Sequence, residues 1–118
     1  MASCALAVLV TRQRFAGCRM FAFSNGSAEA VETLLAHAGI REFFQGVVSV
    51  DEIMIERAIS LLLEVEKTVT EGAGATGLAA LLAHPGHFTG RKVGIVLSGG
   101  NIDTRLLASV LLRGLVRD

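Results

Sequence analysis

Apolar positions along this chain follow two rhythms, and each predicts a different kind of backbone. From Ser27 to Ala38, apolar side chains recur every three or four residues and leave the charged ones on the other side, as in an amphipathic helix. Between such stretches lie short runs that are apolar throughout, such as residues 47–50 and 92–97. Short continuous runs are typical of strands that are buried on both faces of a parallel sheet.

The alternation of these rhythms predicts an α/β fold. Helices are expected over residues 3–15, 27–38, 52–67, 75–83 and 102–116, and strands over residues 20–23, 47–50, 68–70 and 92–97. This order implies three layers, a mostly parallel four-stranded sheet with flanking helices, Rossmann-like in type. Right-handed crossovers would gather the turns after the strands at the carboxyl edge of that sheet. A length of 118 residues suits a single α/β domain.

The amino-acid composition argues against a nucleic-acid partner and a membrane segment, and favours self-association. Eleven basic and eleven acidic residues cancel, and no basic patch with interleaved aromatic residues is present, which argues against a nucleic-acid partner. No apolar run reaches the roughly 18 residues that a membrane span requires, so we expect a cytoplasmic protein without a membrane segment. The apolar first ten residues are interpreted as a packed helix and not as a signal peptide. The neutral, apolar composition predicts self-association through apolar surface.

The cysteines and histidines do not form a recognisable metal motif. Cys4 and Cys18 have neither metal-ligand spacing nor histidine neighbours, and are interpreted as small buried thiols. His37, His84 and His87 are not spaced as ligands on one helix face. The sequence therefore predicts no metal site.

A glycine-rich run, Gly-Ala-Gly-Ala-Thr-Gly at residues 72–77, leads into a predicted helix. The run satisfies the dinucleotide-binding pattern formally, but no acidic residue lies about 20 positions later to hold a ribose hydroxyl. A helix N-terminus with glycines also suits an anionic or electron-rich ligand, because its first backbone N–H groups lack partners inside the helix. Glycines that allow tight helix packing are an equally good interpretation.

A second run, Ser98-Gly99-Gly100-Asn101, follows the clearest predicted strand. The hydroxyl of Ser98 could donate to a ring nitrogen or a phosphate, and the glycines would allow close backbone approach. The alternative is a plain strand-to-helix turn in which Asn101 or Asp103 caps the next helix.

Together, the segment around Glu71-Gly72 and the run Ser98–Asn101 resemble the end of the catalytic domain of pyridoxal-phosphate-dependent threonine and serine ammonia-lyases. The resemblance covers about residues 53–118 and implies pyridoxal phosphate as cofactor. It implies that the residue at Ser98 contacts the pyridine nitrogen, and that Glu71 and Gly72 lie beside the cofactor ring. The Schiff-base lysine motif and the tetraglycine phosphate loop of that family are not found in the sequence, where the lysines are Lys67 and Lys92.

Residues 17–52 resemble a different family, the haloacid dehalogenase superfamily hydrolases of the 2-haloacid dehalogenase branch. The resemblance rests on the run Phe21–Ser27 and on the segment that ends at Asp51-Glu52. The resemblance implies that Ser24, Asn25 and Gly26 bind a phosphate or carboxylate, whereas a capped strand-to-helix turn explains the same residues. The nucleophilic aspartate of that family has no counterpart, because Asp51 is the first aspartate of the chain.

The sequence thus predicts a chimeric or truncated α/β domain with a junction near residues 51–54. Its cofactor-binding candidates are Glu71, Gly72, Ser98, Gly99, Gly100 and Asn101, and no residue is assigned a catalytic role. The reactive groups of both families are missing, so we expect no activity from the domain alone. The alternatives are a dehalogenase-like hydrolase fragment, a phosphate- or pyridoxal-phosphate-binding module, and a lyase whose lysine comes from a partner chain.

Overall fold

A computed structural model describes residues 11–114, which form two compact units that meet at the Ser49–Val50 bond. Residues 11–14 are helical. The remainder of the predicted helix over 3–15, Cys4, the apolar first ten residues and the end of the helix over 102–116 lie outside the described residues. The single domain over residues 1–118 stays a prediction.

The first unit is built on a β-α-β arrangement. Strand β1 (Phe21–Ser24), helix α1 (Ala28–His37), a 3-10 turn (Arg41–Phe43) and strand β2 (Gly46–Ser49) follow one another. The strands pair in parallel, with Phe21 opposite Gly46 and Ser24 opposite Ser49. These elements confirm the predicted strands over 20–23 and 47–50 and the helix between them, each shifted by about one residue.

Local hydrogen bonds explain where α1 begins and how it is tied to the chain after it. Ser27 caps the helix, because its hydroxyl accepts from the Ala30 N–H at 3.2 Å. The Arg41 guanidinium donates two hydrogen bonds to the Glu32 carboxylate and a third to the Phe44 carbonyl. The Glu32 carboxylate raises the pKa of Arg41, so this cation keeps its charge at any physiological pH.

The second unit contains helices α2 (Glu52–Glu64), α3 (Gly72–Ala83), the single turn α4 (Pro85–Phe88) and α5 (Thr104–Leu112). Its core is lined by small and branched side chains from the three longer helices: Ile55, Ala58, Ile59, Leu62, Ala75, Ala79, Ala80 and Val110. Alanines at the contact let α2 and α3 approach closely. Asp51 caps α2 by accepting from the Met54 N–H at 2.8 Å.

An ion pair joins α2 to α5 at the surface of the same unit. Arg113 donates two hydrogen bonds to the Glu56 carboxylate, at 2.7 and 2.5 Å. The bidentate contact raises the pKa of Arg113. The Glu56 side chain is partly covered by this arginine.

The four-stranded sheet is wrong for residues 11–114, where the structure has one sheet of two strands. Residues 68–70 and 92–97 have no strand pairing, because no neighbouring strand in this unit offers backbone hydrogen-bonding groups. The helix expected over 75–83 begins earlier, at Gly72, so the glycine-rich run is part of the helix and not a turn before it.

Two further expectations concern single residues and membranes. Cys18 is exposed and unpaired, so the interpretation of this thiol as buried is wrong. None of the helices described between residues 11 and 114 is long and apolar enough to cross a bilayer; α2 has 13 residues.

Candidate functional site

Glu71 and the run Ser98–Asn101 lie together in the second unit. The backbone N–H of Glu71 donates to the carbonyl oxygen of Gly99 at 3.1 Å, which joins the residue before α3 to the turn before α5. We call the six residues Glu71, Gly72, Ser98, Gly99, Gly100 and Asn101 the Glu71–Ser98 cluster. The structure brings these predicted residues into one place, and their role in binding a cofactor stays a prediction.

Two glycines of α3 allow the chain after residue 94 to lie directly on that helix. A Cβ added at Gly74 would overlap the carbonyl oxygen of Ser98. A Cβ added at Gly77 would lie 2.5 Å from the Cγ2 atom of Ile95, closer than real side chains approach. These contacts favour the packing interpretation of the glycine-rich run over a dinucleotide site. The glycine pattern in the sequence already indicated close packing at Gly74 and Gly77. The sequence did not show that the segment packed on them is the one that contains Ile95 and Ser98.

The glycines of the second run are required by equally close contacts. Gly99 has a left-handed backbone (φ 77°), and a Cβ there would overlap the Glu71 carboxylate. A Cβ at Gly100 would lie 2.9 Å from the Val69 carbonyl oxygen. The side chain of Glu71 thus lies against the backbone of Gly99, and the turn fits residues 69–71 only with glycine at both positions.

The N-terminal end of α3 has an unusual cap. Glu71 is the N-cap residue, yet its side chain makes no capping hydrogen bond. Its carboxylate is favourable near the positive end of the helix dipole. Thr70, just before it, is only 2% exposed, and its hydroxyl finds no hydrogen-bond partner within residues 11–114.

The chemistry of the cluster follows from the groups that it exposes. Ser98 and Asn101 are exposed, so a hydroxyl and a carboxamide are available to a ligand. Asp103, and not Asn101, caps α5, because its carboxylate accepts from the N–H groups of Arg105 and Leu106 at 2.8 and 3.1 Å. The negative Glu71 side chain would oppose a phosphate at this place. A ring nitrogen that accepts a hydrogen bond from the Ser98 hydroxyl therefore suits the place beside Glu71 better than an anion does.

The lysines of the chain are both exposed. Lys67 adopts a left-handed backbone (φ 56°) at the end of α2, and its ammonium donates to the Glu64 carbonyl oxygen at 2.6 Å. This contact satisfies a carbonyl of the last helical turn and complements the negative end of the helix dipole. Lys92 lies at the start of the unpaired apolar run.

The second predicted site, Ser24-Asn25-Gly26, lies in the first unit. The Ser24 hydroxyl accepts from the Gly26 N–H at 3.0 Å, and the Gly26 carbonyl accepts from the Ser49 hydroxyl at 3.0 Å. Ser27 caps α1, as the alternative interpretation required. These contacts describe a hydrogen-bonded strand-to-helix turn, and phosphate binding there stays a prediction. Among residues 11–114, no three His, Cys, Asp or Glu side chains are grouped to hold a metal ion.

No family model matches the chain. It is 44% identical over 78 residues to an L-threonine ammonia-lyase of Thermotoga maritima and 48% identical over 77 residues to that of Geobacter sulfurreducens. These matches cover 66% and 65% of the chain but 19% of each relative. Two thirds of this chain resemble a fifth of a threonine ammonia-lyase.

Solved structures show a related fold. Maize serine racemase superposes with a TM-score of 0.69 at 21% identity, covering 94% of this chain and 44% of the racemase. Serine racemase from Dictyostelium discoideum superposes with a TM-score of 0.55 at 21% identity, covering 84% and 49%. The chain therefore has an α/β fold of the kind found in serine racemase.

The extent of the sequence match bears on the predicted junction. The match to the Thermotoga maritima enzyme covers 78 residues of this chain, whereas only 66 residues follow Glu52. The match therefore includes residues on both sides of positions 51–54, and it reaches back to residue 41 or beyond. These relatives and structures give the dehalogenase resemblance of residues 17–52 no support, and that resemblance stays a prediction.

Proposed function

We propose that this chain forms part of the catalytic domain of a pyridoxal-phosphate-dependent threonine or serine ammonia-lyase. The observation that supports it most is the Glu71–Ser98 cluster, in which two segments, residues 71–72 and 98–101, meet through the Glu71–Gly99 hydrogen bond. The similarity to L-threonine ammonia-lyases in sequence and to serine racemases in fold supports the same assignment.

In this proposal the cluster holds the pyridine end of the cofactor. Ser98 would bond the ring nitrogen through its exposed hydroxyl, and Glu71 with Gly72 would border the ring. The Glu71 carboxylate keeps the phosphate end away from this place, because like charges repel strongly where water is partly excluded. Bound pyridoxal phosphate would supply the electron sink that stabilises a carbanion on an amino-acid substrate.

We propose further that these 118 residues alone do not catalyse deamination. A Schiff-base lysine has to be activated by desolvation or by a neighbouring cation. Lys67 is exposed and bound to the end of α2, and Lys92 is exposed at the start of an unpaired run. Neither environment provides that activation.

A chimeric origin belongs to the same proposal with a corrected junction. Since the lyase match reaches back to residue 41 or beyond, a dehalogenase-like segment would have to end upstream of that position.

Titration with pyridoxal phosphate, followed by absorbance and backbone amide shifts, tests the cofactor proposal. We expect shifts at residues 71–74 and 98–101, and about tenfold weaker binding in Ser98→Ala because one hydrogen bond to the ring is lost. Ser109→Ala, an exposed serine on α5, is the matched control and should bind as the unchanged chain does.

Two results would contradict the proposal in different ways. Equal affinity of Ser98→Ala and the unchanged chain would remove the ring contact from the assignment. Borohydride reduction followed by mass spectrometry separates the second question: a reduced adduct on Lys67 or Lys92 would show that the chain carries its own reactive lysine.

A further inference from the structure

Thr70 carries a buried hydroxyl in an extended stretch of the second unit. Glu71, the next residue, has extended backbone angles (φ −82°, ψ 170°), and exposure alternates here, since Val69 is 45% exposed and Thr70 is 2% exposed. Neighbouring side chains of an extended chain point to opposite sides. The Thr70 side chain therefore lies inside the unit, whereas the Glu71 side chain lies against Gly99.

The residues on both sides of Thr70 are in contact with the Glu71–Ser98 cluster. The Glu71 N–H donates to the Gly99 carbonyl oxygen at 3.1 Å. The Val69 carbonyl oxygen lies so near Gly100 that a Cβ there would be 2.9 Å from it. Thr70 is the one residue between these two contacts, so a displacement of Thr70 is passed directly to Glu71.

The Thr70 hydroxyl does not stabilise this arrangement. It has no hydrogen-bond partner within residues 11–114, although threonine hydroxyls commonly bond to nearby backbone groups. A buried hydroxyl without a partner has lost its hydrogen bonds to water and gained none, so valine, which has nearly the same shape, would be more stable here. The unit itself covers the hydroxyl oxygen, so a polypeptide outside it reaches this atom only if residues 69–71 move.

We propose that Thr70 is a positioning residue whose hydroxyl gains a hydrogen bond when pyridoxal phosphate binds at the Glu71–Ser98 cluster. The Glu71 carboxylate lies directly against the Gly99 backbone, so a ring that enters beside Ser98 has to displace it. Residues 69–71 move with the carboxylate and bring the Thr70 hydroxyl to an acceptor. A ligand favours the state in which it gains more interaction, so this bond adds to affinity. The inference rests on the proposed function.

Ser60 offers a comparison within the same unit. Its hydroxyl is also buried, at 1% exposure, and it also has no hydrogen-bond partner within residues 11–114. Ser60 lies inside α2, where the hydrogen bonds of a regular helix hold its backbone, and not in the segment that contacts Gly99. Removal of either hydroxyl should stabilise the unit, but only the Thr70 hydroxyl should affect binding.

Urea unfolding and titration with pyridoxal phosphate, in three variants of the full chain, test the proposal. Thr70→Val should lower the unfolding equilibrium constant about fivefold and weaken binding about tenfold, because the hydroxyl costs stability in the free chain and adds a hydrogen bond in the complex. Thr70→Ser keeps the hydroxyl and loses a buried methyl group, so it should unfold more readily and bind as the unchanged chain does. Ser60→Ala should be stabilised and bind normally.

The opposite directions of stability and affinity separate positioning from a structural role. Affinity that follows stability across the three variants would overturn the proposal. During the titration the methyl resonance of Thr70 and the amides of residues 69–71 should shift; shifts at residues 98–101 alone would also overturn it.

Failure of the proposed function is recognised separately. If the unchanged chain does not bind pyridoxal phosphate, both proposals are wrong. If it binds, with weaker binding in Ser98→Ala and unchanged binding in Thr70→Val, the proposed function stands and Thr70 is not a positioning residue.

Discussion

Strand β2 and residues 92–97 are alike in sequence and different in structure. Both are short apolar runs that precede a turn and a helix. Val47 and Val48 of β2 are half-buried and lie beside β1 in a parallel register. Val96, by contrast, is 84% exposed, and its segment pairs with no strand in residues 11–114. An apolar run becomes a strand only where a second backbone meets its hydrogen-bonding groups.

The turns at Ser24 and Ser98 differ in the same way. One uses its polar side chain within the turn, and the other leaves its hydroxyl exposed. The Ser24 hydroxyl accepts from the Gly26 N–H, so that turn uses its own polar groups. Ser98 lies in a turn held by backbone contacts with Glu71 and Gly74, and its exposed hydroxyl is left available. The turn that is fixed by its neighbours, and not by its own side chains, is the better candidate for binding a ligand.

Amide hydrogen exchange should show the largest difference between the two runs. In dilute protein we expect the amides at 92–98, which have no backbone partner within residues 11–114, to exchange near the random-coil rate. Amides bonded between β1 and β2 should be strongly protected. Mass spectrometry of peptides that cover residues 20–24, 46–49 and 92–98 measures this. Equal protection of the three segments at all dilutions would mean that the contrast between them is wrong.

A substitution at Gly74 should have the next largest effect. Alanine is favoured over glycine in a helix by up to about 1 kcal/mol, so Gly74→Ala would be stabilising without tertiary contacts. Here the new Cβ would overlap the Ser98 carbonyl, a backbone atom that cannot rotate away. We expect the free energy of unfolding to fall by about 1–3 kcal/mol, as for other overpacked sites. Urea unfolding measures the change.

Gly86→Ala is the control for that experiment. Nothing lies within 4 Å of a Cβ at Gly86, which is also in a helix, so this change should be neutral or slightly stabilising. If both variants behave alike, the close contact between α3 and the turn at Ser98 is not formed in solution.

The sequence predicted the elements that depend on local patterns. Helix α1 and helix α2 have an amphipathic period and a capping residue, Ser27 and Asp51, and both were placed within a few residues. Their ends could be predicted because the capping groups are neighbours in the sequence.

The errors concern features that depend on distant backbone. The strand over 92–97 was expected from its apolar run. That run does not show whether a neighbouring strand is available to pair with it, and residues 11–114 provide none. The glycines of α3 were ambiguous for the same reason, since only the fold shows that Ser98 and Ile95 lie on them. The meeting of Glu71 with the Ser98 turn followed from a family resemblance and not from residue patterns alone.

Removal of the α5 cap should have the smallest effect and shows what holds the far end of the unpaired segment. Asp103→Ala deletes a carboxylate that accepts two backbone hydrogen bonds, so we expect unfolding to become easier by about 1 kcal/mol. Asp103→Asn keeps an accepting oxygen and should lose less, which separates the hydrogen bonds from the charge–dipole interaction. Ser27→Ala removes the corresponding cap of α1, whose neighbouring strand is paired, and should lower the free energy of unfolding by a similar amount.

Amide hydrogen exchange shows whether each turn depends on its helix cap. Faster exchange at residues 98–101 in Asp103→Ala, with unchanged exchange at residues 24–27 in Ser27→Ala, would mean that only the turn without strand pairing depends on its cap. Unchanged exchange at 98–101 would show that the contacts with Glu71 and Gly74 hold that turn by themselves.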